Sequence, residues 1–376
     1  MPCRPIPLRR RSPLTTTKLL TSAVALTISL AGHVLADNSL TTFAEITDTR
    51  PGNITVTPDN RVIITQQPLD GPALRMVEVL ADGTKVPFPT QDWADGPEIG
   101  DVGIAGTIGI KSDSNGVVWV LDMGGETSGP KIVAWDTQKD VLHKTIDIPA
   151  NVVTPISFPQ DFALDETRGK IYIADMTFSS PASDLKPAFV VIDLETGAAR
   201  RVLEGAEPLM PSDEDVVIDG NLVGFTDGEG NPQPRHLSMN AISIDPSFEH
   251  VYFGTMNGRD ILRIPAAALA DDNLDDAALA AQITRYGEKG PNDGFIVDGT
   301  GRVFSGDVTR NAVTVSTADS FEVFAQDDTL LRWPDGFAFA PDGTMYIVAN
   351  QLHTHPALNM GEDGSDHRYF ILTAKP

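Results

Sequence analysis

The sequence is almost free of cysteine. Cys3 is the only one among 376 residues, and it lies close to the N-terminus. The rest of the chain therefore cannot form a disulfide, use a thiol as a nucleophile or carry a lipid on a cysteine. A fold that closes on itself must then be held by strand pairing and packing.

Positive charge is also scarce. The 28 lysine and arginine residues are outnumbered by 52 aspartate and glutamate residues, which gives a net charge of −24. This charge opposes binding to nucleic acid and to anionic membranes. The sequence also lacks a phosphate-binding loop and a Gly-x-Ser-x-Gly nucleophile elbow. We therefore predict a small-molecule ligand or substrate, no nucleic-acid partner and no organic cofactor.

The N-terminal residues have the composition of an export signal. Five basic residues and no acid precede and border the apolar stretch LLTSAVALTISLAG at 19–32, and Val34-Leu35-Ala36 follows as a cleavage site. The pattern predicts a secretory signal peptide over 1–36, because the apolar stretch is too short for a good membrane span. The mature chain, 37–376, is then secreted or periplasmic, with no membrane attachment after cleavage.

One pattern recurs six times along the remaining chain. Each copy has a polar or small residue, an alternating apolar stretch, a turn rich in Asp, Pro and Gly, and a second apolar stretch, as in NDGFIVDGTGRVFSGD. Alternation with such turns predicts a β-hairpin, and a recurring hairpin is typical of propeller blades. The copies lie at 52–65, 106–122, 160–175, 240–254, 292–307 and 334–350. We predict an all-β, six-bladed β-propeller that forms one domain over 37–376.

The two ends of the domain are predicted to share a blade. The last repeat is followed by a single further strand, RYFILTAK at 368–375, so its blade lacks an outer strand. The alternating segment LTTFAEITD at 40–48 can supply that strand and remove a free sheet edge. Only PAAALADDNLDDAALAAQ at 265–282 has a helical composition, which we interpret as an insertion within a blade.

The chemistry is expected at the entries of the innermost strands, which converge at one mouth of the central channel. The equivalent positions hold oxygen-bearing side chains that suit a hard cation such as calcium. The same residue types also cap turns. These residues are Asn53, Thr107, Asp161, Asn240, Asp293 and Asp335, with Gln160 and Asn292 beside two of them.

Within this set we predict two overlapping roles. Gln160, Asp161, Asn292 and Asp335 are expected to bind the ligand, and Asn240, Asp293 and Asp335 a divalent cation. His353 follows the last innermost strand region and is a candidate proton-transfer group, since its ordinary pKa lies near neutrality. His353 and His355 are close enough in sequence to bind zinc together, but no third ligand for such a site lies nearby in sequence. Trp119, Trp135 and Trp333 are predicted to pack between blades.

Several blocks resemble the major royal jelly protein/Yellow family. They include PQDFALDETRGKIYIAD, MNAISIDPSFEHVYFGTMNGRDILRI, KGPNDGFIVDGTGRVFSGDVTRNAV and LRWPDGFAFAPDGTMYIVANQLH, in this order. The resemblance implies a secreted six-bladed propeller. Members of this family convert dopachrome, bind amines or act as storage proteins, so the family implies a fold more than an activity. Its animal members carry disulfides, which suggests that this chain is a bacterial-type relative.

A more distant resemblance is to the lactonases of the gluconolactonase/SMP-30 type. Asn240 before Ala-Ile-Ser and Asp293 before Gly-Phe-Ile-Val-Asp match two metal-ligand positions of that family. The resemblance implies that a metal polarises a lactone carbonyl and that Asp293 assists the attack of water. The N-terminal glutamate of that site has no match, and Glu45 is the nearest acid.

Three functions remain open at this point. The protein is an isomerase of the dopachrome-converting type, a divalent-metal-dependent lactonase, or a non-enzymatic extracellular binder of small ligands. Asp293 and His353 are the catalytic candidates in the first two cases. The sequence does not determine the oligomeric state.

Overall fold

The computed structural model describes residues 40–96, 102–178 and 184–376, together with Met1 and Pro2. The predicted export signal over 1–36 lies, apart from those first two residues, outside the described part. Asn38–Pro376 forms one compact unit. None of the helices in the described part has the length and hydrophobicity needed to cross a bilayer.

Six four-stranded antiparallel sheets account for most of the described chain, as the repeats predict. Blade 1 contains β2–β5 at Pro51–Val56, Val62–Gln66, Met76–Val79 and Lys85–Pro87. Blade 2 contains β6–β9 at Thr107–Ser112, Val117–Asp122, Lys131–Asp136 and Val141–Asp147. Blade 3 contains β10–β13 at Ser157–Asp165, Lys170–Thr177, Ala188–Asp193 and Ala199–Val202.

The other three blades follow the same plan. Blade 4 contains β18–β21 at Met239–Ile244, His250–Thr255, Asp260–Pro265 and Thr284–Glu288. Blade 5 contains β22–β25 at Phe295–Val297, Val303–Asp307, Ala312–Ser316 and Phe321–Gln326. Blade 6 contains β26–β28 at Pro334–Phe339, Met345–Ala349 and Tyr369–Ala374, and β1 at Thr41–Ile46.

The first strand of each blade lines the centre. Contacts run from β2 to β6, β10, β18, β22, β26 and back to β2, which closes a six-membered ring. The all-β six-bladed propeller is therefore confirmed.

The predicted closure of blade 6 is confirmed as well. The sheet order is β1-β28-β27-β26, so the N-terminal strand is the outermost strand of the last blade. Ile46 pairs with Tyr369, and Thr41 pairs with Thr373. Ala44 and Ile46 are buried in a cluster with residues of blades 6 and 1, which ties the two chain ends together.

The core lies between the facing surfaces of neighbouring blades. Trp119 of blade 2 packs with Phe162 and Ile171 of blade 3. Trp135 packs with Ile63 of blade 1 and meets Trp93 edge-on at a centroid distance of 6.4 Å. Both side chains fill the gap between blades, because one sheet alone cannot bury its two apolar faces.

The predicted helical insertion at 265–282 is two short helices rather than one. They are α2 at Ala266–Ala270 and α3 at Asp276–Ala280, between the third and fourth strands of blade 4. Asp271 Oδ1 accepts from the backbone N–H of Asn273, which favours a turn over a helix. Asp275 Oδ1 then accepts from the N–H of Ala278 and caps α3. A further helix, at Gln91–Ala94, was not predicted.

An insertion between blades 3 and 4 packs beside the channel mouth. It contains two small hairpins, β14–β15 at Val217–Ile218 and Asn221–Leu222, and β16–β17 at Gly224–Thr226 and Pro232–Pro234. Val216, Ile218 and Val223 form an apolar cluster with Trp333 and Leu358. The insertion therefore supplies part of the wall around the site.

Candidate functional site

Several of the polar residues at the strand entries sit on β-bulges. The register of the innermost strand shifts between Pro51 and Ile54, between Pro159 and Asp161, between Met239 and Ala241, and between Pro334 and Phe337. A bulge re-aims the side chain of the extra residue, so it can point across the channel instead of along the sheet. The residues within or bordering these shifts include Asn53, Gln160, Asp161, Asn240 and Asp335.

Asp293 lies at the centre of this group. Its Oδ1 accepts a hydrogen bond of 2.6 Å from Nδ2 of Asn240, and its Oδ2 accepts one of 2.7 Å from Nε1 of Trp333. Asn240 Oδ1 in turn accepts from Nε2 of Gln160. This chain of hydrogen bonds joins blades 3, 4 and 5 and leads to the segment before blade 6.

Asp335 is the second carboxyl of the centre. Its Oδ2 accepts a hydrogen bond of 2.8 Å from Nδ2 of Asn350, which also donates to the carbonyl oxygen of Pro51 at 3.1 Å. A Cβ atom at Gly294 would lie 2.1 Å from the carbonyl oxygen of Asp335. Glycine at this position therefore lets blade 6 approach blade 5 closely, which brings the carboxyls of Asp293 and Asp335 near each other.

A lysine completes the polar ring. Lys111 Nζ from blade 2 lies 3.1 Å from Oδ1 of Asp161. Asp161 Oδ2 also accepts a hydrogen bond of 3.1 Å from Nδ2 of Asn53 in blade 1. At the same time Asn53 Oδ1 and Asp161 Oδ1 accept from the backbone N–H groups of the residues that follow them. The side chains thus both cap the bulges and cross-link the blades.

The two central carboxyls are more basic than ordinary aspartates. Burial, and to a lesser degree the charge of Asp161, raises the pKa of Asp293 against its two N–H donors. Burial together with the charges of Asp293 and Asp161 raises the pKa of Asp335 well above its usual value. Asn350 and Lys111 oppose that rise only in part. Because a negative charge on one carboxyl raises the free energy needed to ionise the other, the two groups titrate as a pair.

An apolar cavity of about 290 Å³ opens above these carboxyls, and we call it the mouth cavity. Its walls include two phenylalanines and a tryptophan, and its polar groups converge from separate blades. Such a combination is typical of small-molecule sites. It is lined by Gln67, Leu69, Ile108, Phe158, Gln160, Met176, Phe178, Arg235, Leu237, Asn240, Asp293, Trp333, Asp335, Leu352, Ala357 and Leu358.

A narrow space adjoins the mouth cavity along the channel, and we call it the constriction. Its volume is about 10 Å³, and Asp161, Asp293 and Asp335 line it together with Asn53 and Lys111. A space of this volume holds about one water molecule. The mouth cavity is therefore the only one of the two that can take an organic ligand.

The structure brings together six of the eight residues that the sequence singled out at the strand entries. Gln160, Asn240, Asp293 and Asp335 line the mouth cavity, and Asn53 and Asp161 line the constriction. Thr107 Oγ1 makes a contact of 3.4 Å with the carbonyl of Gly109 inside its own blade. Asn292 is buried and donates to the carbonyl of Gly294, and it lines neither space.

His353 stands beside the site rather than in it. Its ring stacks on Trp333 at a centroid distance of 5.8 Å, and it lines a separate cavity of about 150 Å³ with Arg332. Burial, with Arg332 and Arg50 nearby, lowers the pKa of His353 to about 4. The imidazole is therefore neutral near pH 7 and supports the Trp333 ring, which hydrogen-bonds Asp293.

The sequence analysis missed several site residues, among them Lys111, Asn350 and Arg235. Lys111 lies two and four residues after Gly109 and Thr107 on one strand, so period-two alternation offered a signal for it. Asn350 directly follows the second strand of blade 6 and lies outside the compared strand entries. Arg235 belongs to the insertion, which no repeat predicts.

A divalent cation fits this arrangement poorly. Both oxygens of Asp293 face N–H donors, and the ammonium group of Lys111 already contacts Asp161. No group of three or more His, Cys, Asp or Glu side chains in residues 40–96, 102–178 and 184–376 has a metal-binding arrangement. The positive charge in the constriction comes from Lys111, so a metal would have to displace it and re-orient Asn240.

The sequence matches one family model over most of its length. The description of that family is major royal jelly protein, and the match covers residues 105–375, which is well over half of the chain. This chain belongs to the major royal jelly protein family. A search of curated proteins gives no match to the sequence.

Solved structures place this royal jelly family member among six-bladed propellers. A gluconolactonase from Xanthomonas campestris is similar with a TM-score of 0.56 at 14% identity, over 90% of each chain. The luciferin-regenerating enzyme is similar with a TM-score of 0.51 at 9% identity, over 90% of this chain and 95% of that one. The calcium-binding protein regucalcin from Agrobacterium tumefaciens is similar with a TM-score of 0.50 at 13% identity, over 89% of this chain and 96% of that one. At such identities the similarity shows the fold alone.

Proposed function

We propose that this protein is an exported isomerase that binds a small cyclic metabolite in the mouth cavity and converts it by proton transfer. The observation that carries the proposal is the pair of buried carboxyls, Asp293 and Asp335, at the floor of an apolar cavity. Raised carboxyl pKa values near an apolar pocket suit general acid–base catalysis close to neutral pH. Membership of the royal jelly family supports dopachrome-type conversion as the reaction class.

The two carboxyls differ in a way that assigns their roles. The carboxyl of Asp335 accepts one hydrogen bond, from Nδ2 of Asn350, and burial with the charge of Asp293 raises its pKa well above the usual value, so we assign the proton and the role of the acid to Asp335. Asp293 receives two N–H donors, which stabilise its anion, so it acts as the base. The base removes a proton from one ring position of the ligand and the acid supplies one at another. The reaction is therefore a tautomerisation with no net oxidation.

The remaining cavity residues position the ligand. Phe158, Phe178 and Trp333 present aromatic surface for a ring, and Gln160 lies beside the carboxyls. The apolar wall around the floor limits its contact with water, which strengthens the electrostatic interactions inside. The acidic surface and the predicted signal peptide over 1–36 are consistent with a role outside the cytoplasm.

A metal-dependent lactonase is the second candidate function. Three carboxylates line one constriction, and the gluconolactonase and regucalcin folds are similar to this one. In that case Asn240, Asp293 and Asp335 would hold a divalent cation, calcium first, that polarises the carbonyl of the lactone. The hydrogen bonds at Asp293 and the contact between Lys111 and Asp161 count against it.

Chelation separates these two functions. We expect conversion of dopachrome, measured by absorbance, and the melting temperature to be unchanged by EDTA, because Lys111 supplies the counter-charge of the constriction.

The test panel also contains lactones and amines. Hydrolysis of a lactone that EDTA abolishes and calcium restores, with a calcium-dependent rise in melting temperature, would reject the isomerase. Tight binding of a panel member with no product would instead identify a non-enzymatic binder.

A further inference from the structure

Arg235 projects from the insertion onto the mouth cavity. It directly follows β17, and its backbone N–H donates to the carbonyl of Val223 at 3.0 Å. Its guanidinium carbon lies 4.3 Å from the ring centroid of Phe225 and 5.9 Å from that of Phe178. Two aromatic faces therefore fix the position of the charge at the wall of the cavity.

No carboxylate in the described part of the chain neutralises this guanidinium. Within the described residues no carboxylate lies within 4.0 Å of Arg235, although the chain has 52 aspartate and glutamate residues. Among the described residues, the only hydrogen bond donated by its side chain is the contact of 3.3 Å from Nη2 to the carbonyl of Ala357. Burial lowers the pKa of Arg235, and no neighbouring acid counteracts that effect. A half-buried cation without a counter-ion is costly unless an anion joins it.

Gln67 provides a second polar group on the same cavity whose hydrogen bonding is incomplete within the described residues. The residue is 2% exposed and lines the mouth cavity. Its side-chain Oε1 is buried and has no hydrogen-bond partner in the parts of the chain that the structure describes. A buried acceptor without a donor lowers stability, so a ligand that donates an N–H or O–H to Gln67 would remove that penalty.

We infer that Arg235 and Gln67 make the mouth cavity selective for a cyclic carboxylate that also carries an N–H or O–H donor. The carboxylate pairs with the guanidinium of Arg235, and the ring lies against the aromatic wall. The ligand's donor reaches Oε1 of Gln67 once the side-chain amide turns toward the cavity that the residue lines. This inference rests on the proposal that the mouth cavity binds a small cyclic ligand. It adds the charge of that ligand and the residues that recognise it.

The alternative is a positively charged ligand, because acids are abundant at the site. The carboxyls of the floor, however, are the groups whose protonation burial favours, and Lys111 compensates Asp161. The floor then carries the negative charge of Asp293, which the N–H groups of Asn240 and Trp333 stabilise, whereas the positive charge of Arg235 at the wall has no carboxylate partner among the described residues. An anionic ring compound suits this distribution better than an amine.

Binding of three matched probes tests the inference. Indole-2-carboxylate carries the ring, the N–H and the carboxylate, indole lacks the carboxylate, and tryptamine carries a cation instead. Affinities are measured by titration calorimetry for the full chain and for Arg235→Gln, Arg235→Lys and Gln67→Leu. Arg285→Gln is the matched control, because Arg285 is exposed, pairs with Asp260 and does not line the mouth cavity.

The expected result is selective loss. Indole-2-carboxylate should bind the parent best and Arg235→Gln about 10- to 100-fold more weakly, with indole unaffected by that change. Arg235→Lys should retain part of the affinity, and Gln67→Leu should weaken both indoles. Melting curves show whether Arg235→Gln folds as the parent does, and Arg235→Lys gives the same comparison if it does not.

Several outcomes would overturn the inference. Equal affinity of the parent for indole and indole-2-carboxylate, preference for tryptamine, or an equal effect of Arg285→Gln would each do so while leaving the isomerase proposal standing. Selective, Arg235-dependent binding without any conversion of dopachrome would reject the isomerase and leave the inference standing. Binding of none of the probes by the parent would also overturn the inference, and conversion of dopachrome would still decide the isomerase proposal separately.

Discussion

A shortened protein that begins at Thr49 should show no cooperative unfolding transition at room temperature. It lacks β1 and therefore the outer strand of blade 6. The deletion removes the buried side chains of Ala44 and Ile46 and leaves β28 as an unpaired edge. It also removes Phe43, which meets Tyr346 edge-on at 5.3 Å. The loss should approach the whole free energy of unfolding, which is about 5–15 kcal/mol for a domain.

Circular dichroism during a urea titration measures this effect. The matched control is the protein that begins at Asn38, which keeps β1 and should unfold as the mature chain does. Single substitutions cover the case in which the shortened protein cannot be purified. Ile46→Ala should cost about 2–4 kcal/mol, and Thr42→Ala, at an exposed position of the same strand, should change stability by less than about 0.5 kcal/mol. Equal unfolding of the Thr49 and Asn38 proteins would show that β1 does not close the ring.

Asp293→Asn should reduce the rate of conversion by at least about 100-fold, because it removes the base of the proposed proton transfer. The asparagine amide also brings an N–H group toward Trp333 or Asn240, which both donate to Asp293. We therefore expect a moderate loss of stability besides the loss of rate. Initial rates of dopachrome conversion under saturating conditions, with melting temperatures of each variant, separate the two effects.

The control for this variant is Asp319→Asn, which removes one exposed carboxylate between β24 and β25 that lines neither the mouth cavity nor the constriction. It should leave the rate unchanged. Asp335→Asn should also slow conversion, since the acid of the pair is lost. Conversion by a folded Asp293→Asn protein at the parental rate would show that the reaction does not pass through this carboxyl.

The fold was predictable because each blade repeats the same local signals. The turn residues and the alternating apolar stretches identify six hairpins, and the short last repeat indicates where β1 must pair. The helical insertion was less predictable. Asp271 and Asn273 form a local turn that divides it, and side chains of this kind compete with helical hydrogen bonds.

The site was predictable only in part, because its residues are held by contacts between blades. Equivalent places in the repeats identify Gln160, Asn240, Asp293 and Asp335, which do meet at the mouth cavity. His353 has the residue type of a proton-transfer group, but stacking on Trp333 keeps it out of that cavity. Lys111 and Arg235 depend on how blade 2 and the insertion lie against their neighbours, which no local pattern determines.

The central claim is that Asp293 and Asp335 form a buried carboxyl pair of raised pKa, and the stability of Asp335→Asn as a function of pH tests it most directly. Below the ordinary aspartate pKa of about 3.9, the carboxyl of Asp335 is protonated in both the folded and the unfolded parent, so it does not lower the free energy of unfolding. As the pH rises, the unfolded chain releases its proton first and the folded protein loses stability until Asp335 itself ionises.

We predict that the free energy of unfolding of Asp335→Asn is about 0.5–2 kcal/mol higher than that of the parent at neutral pH. This difference should shrink toward pH 4. Urea titrations across this range measure the difference, with Asp319→Asn as the control that should show no such trend. A variant that is less stable than the parent at neutral pH, or a difference that is independent of pH, would contradict the buried carboxyl pair.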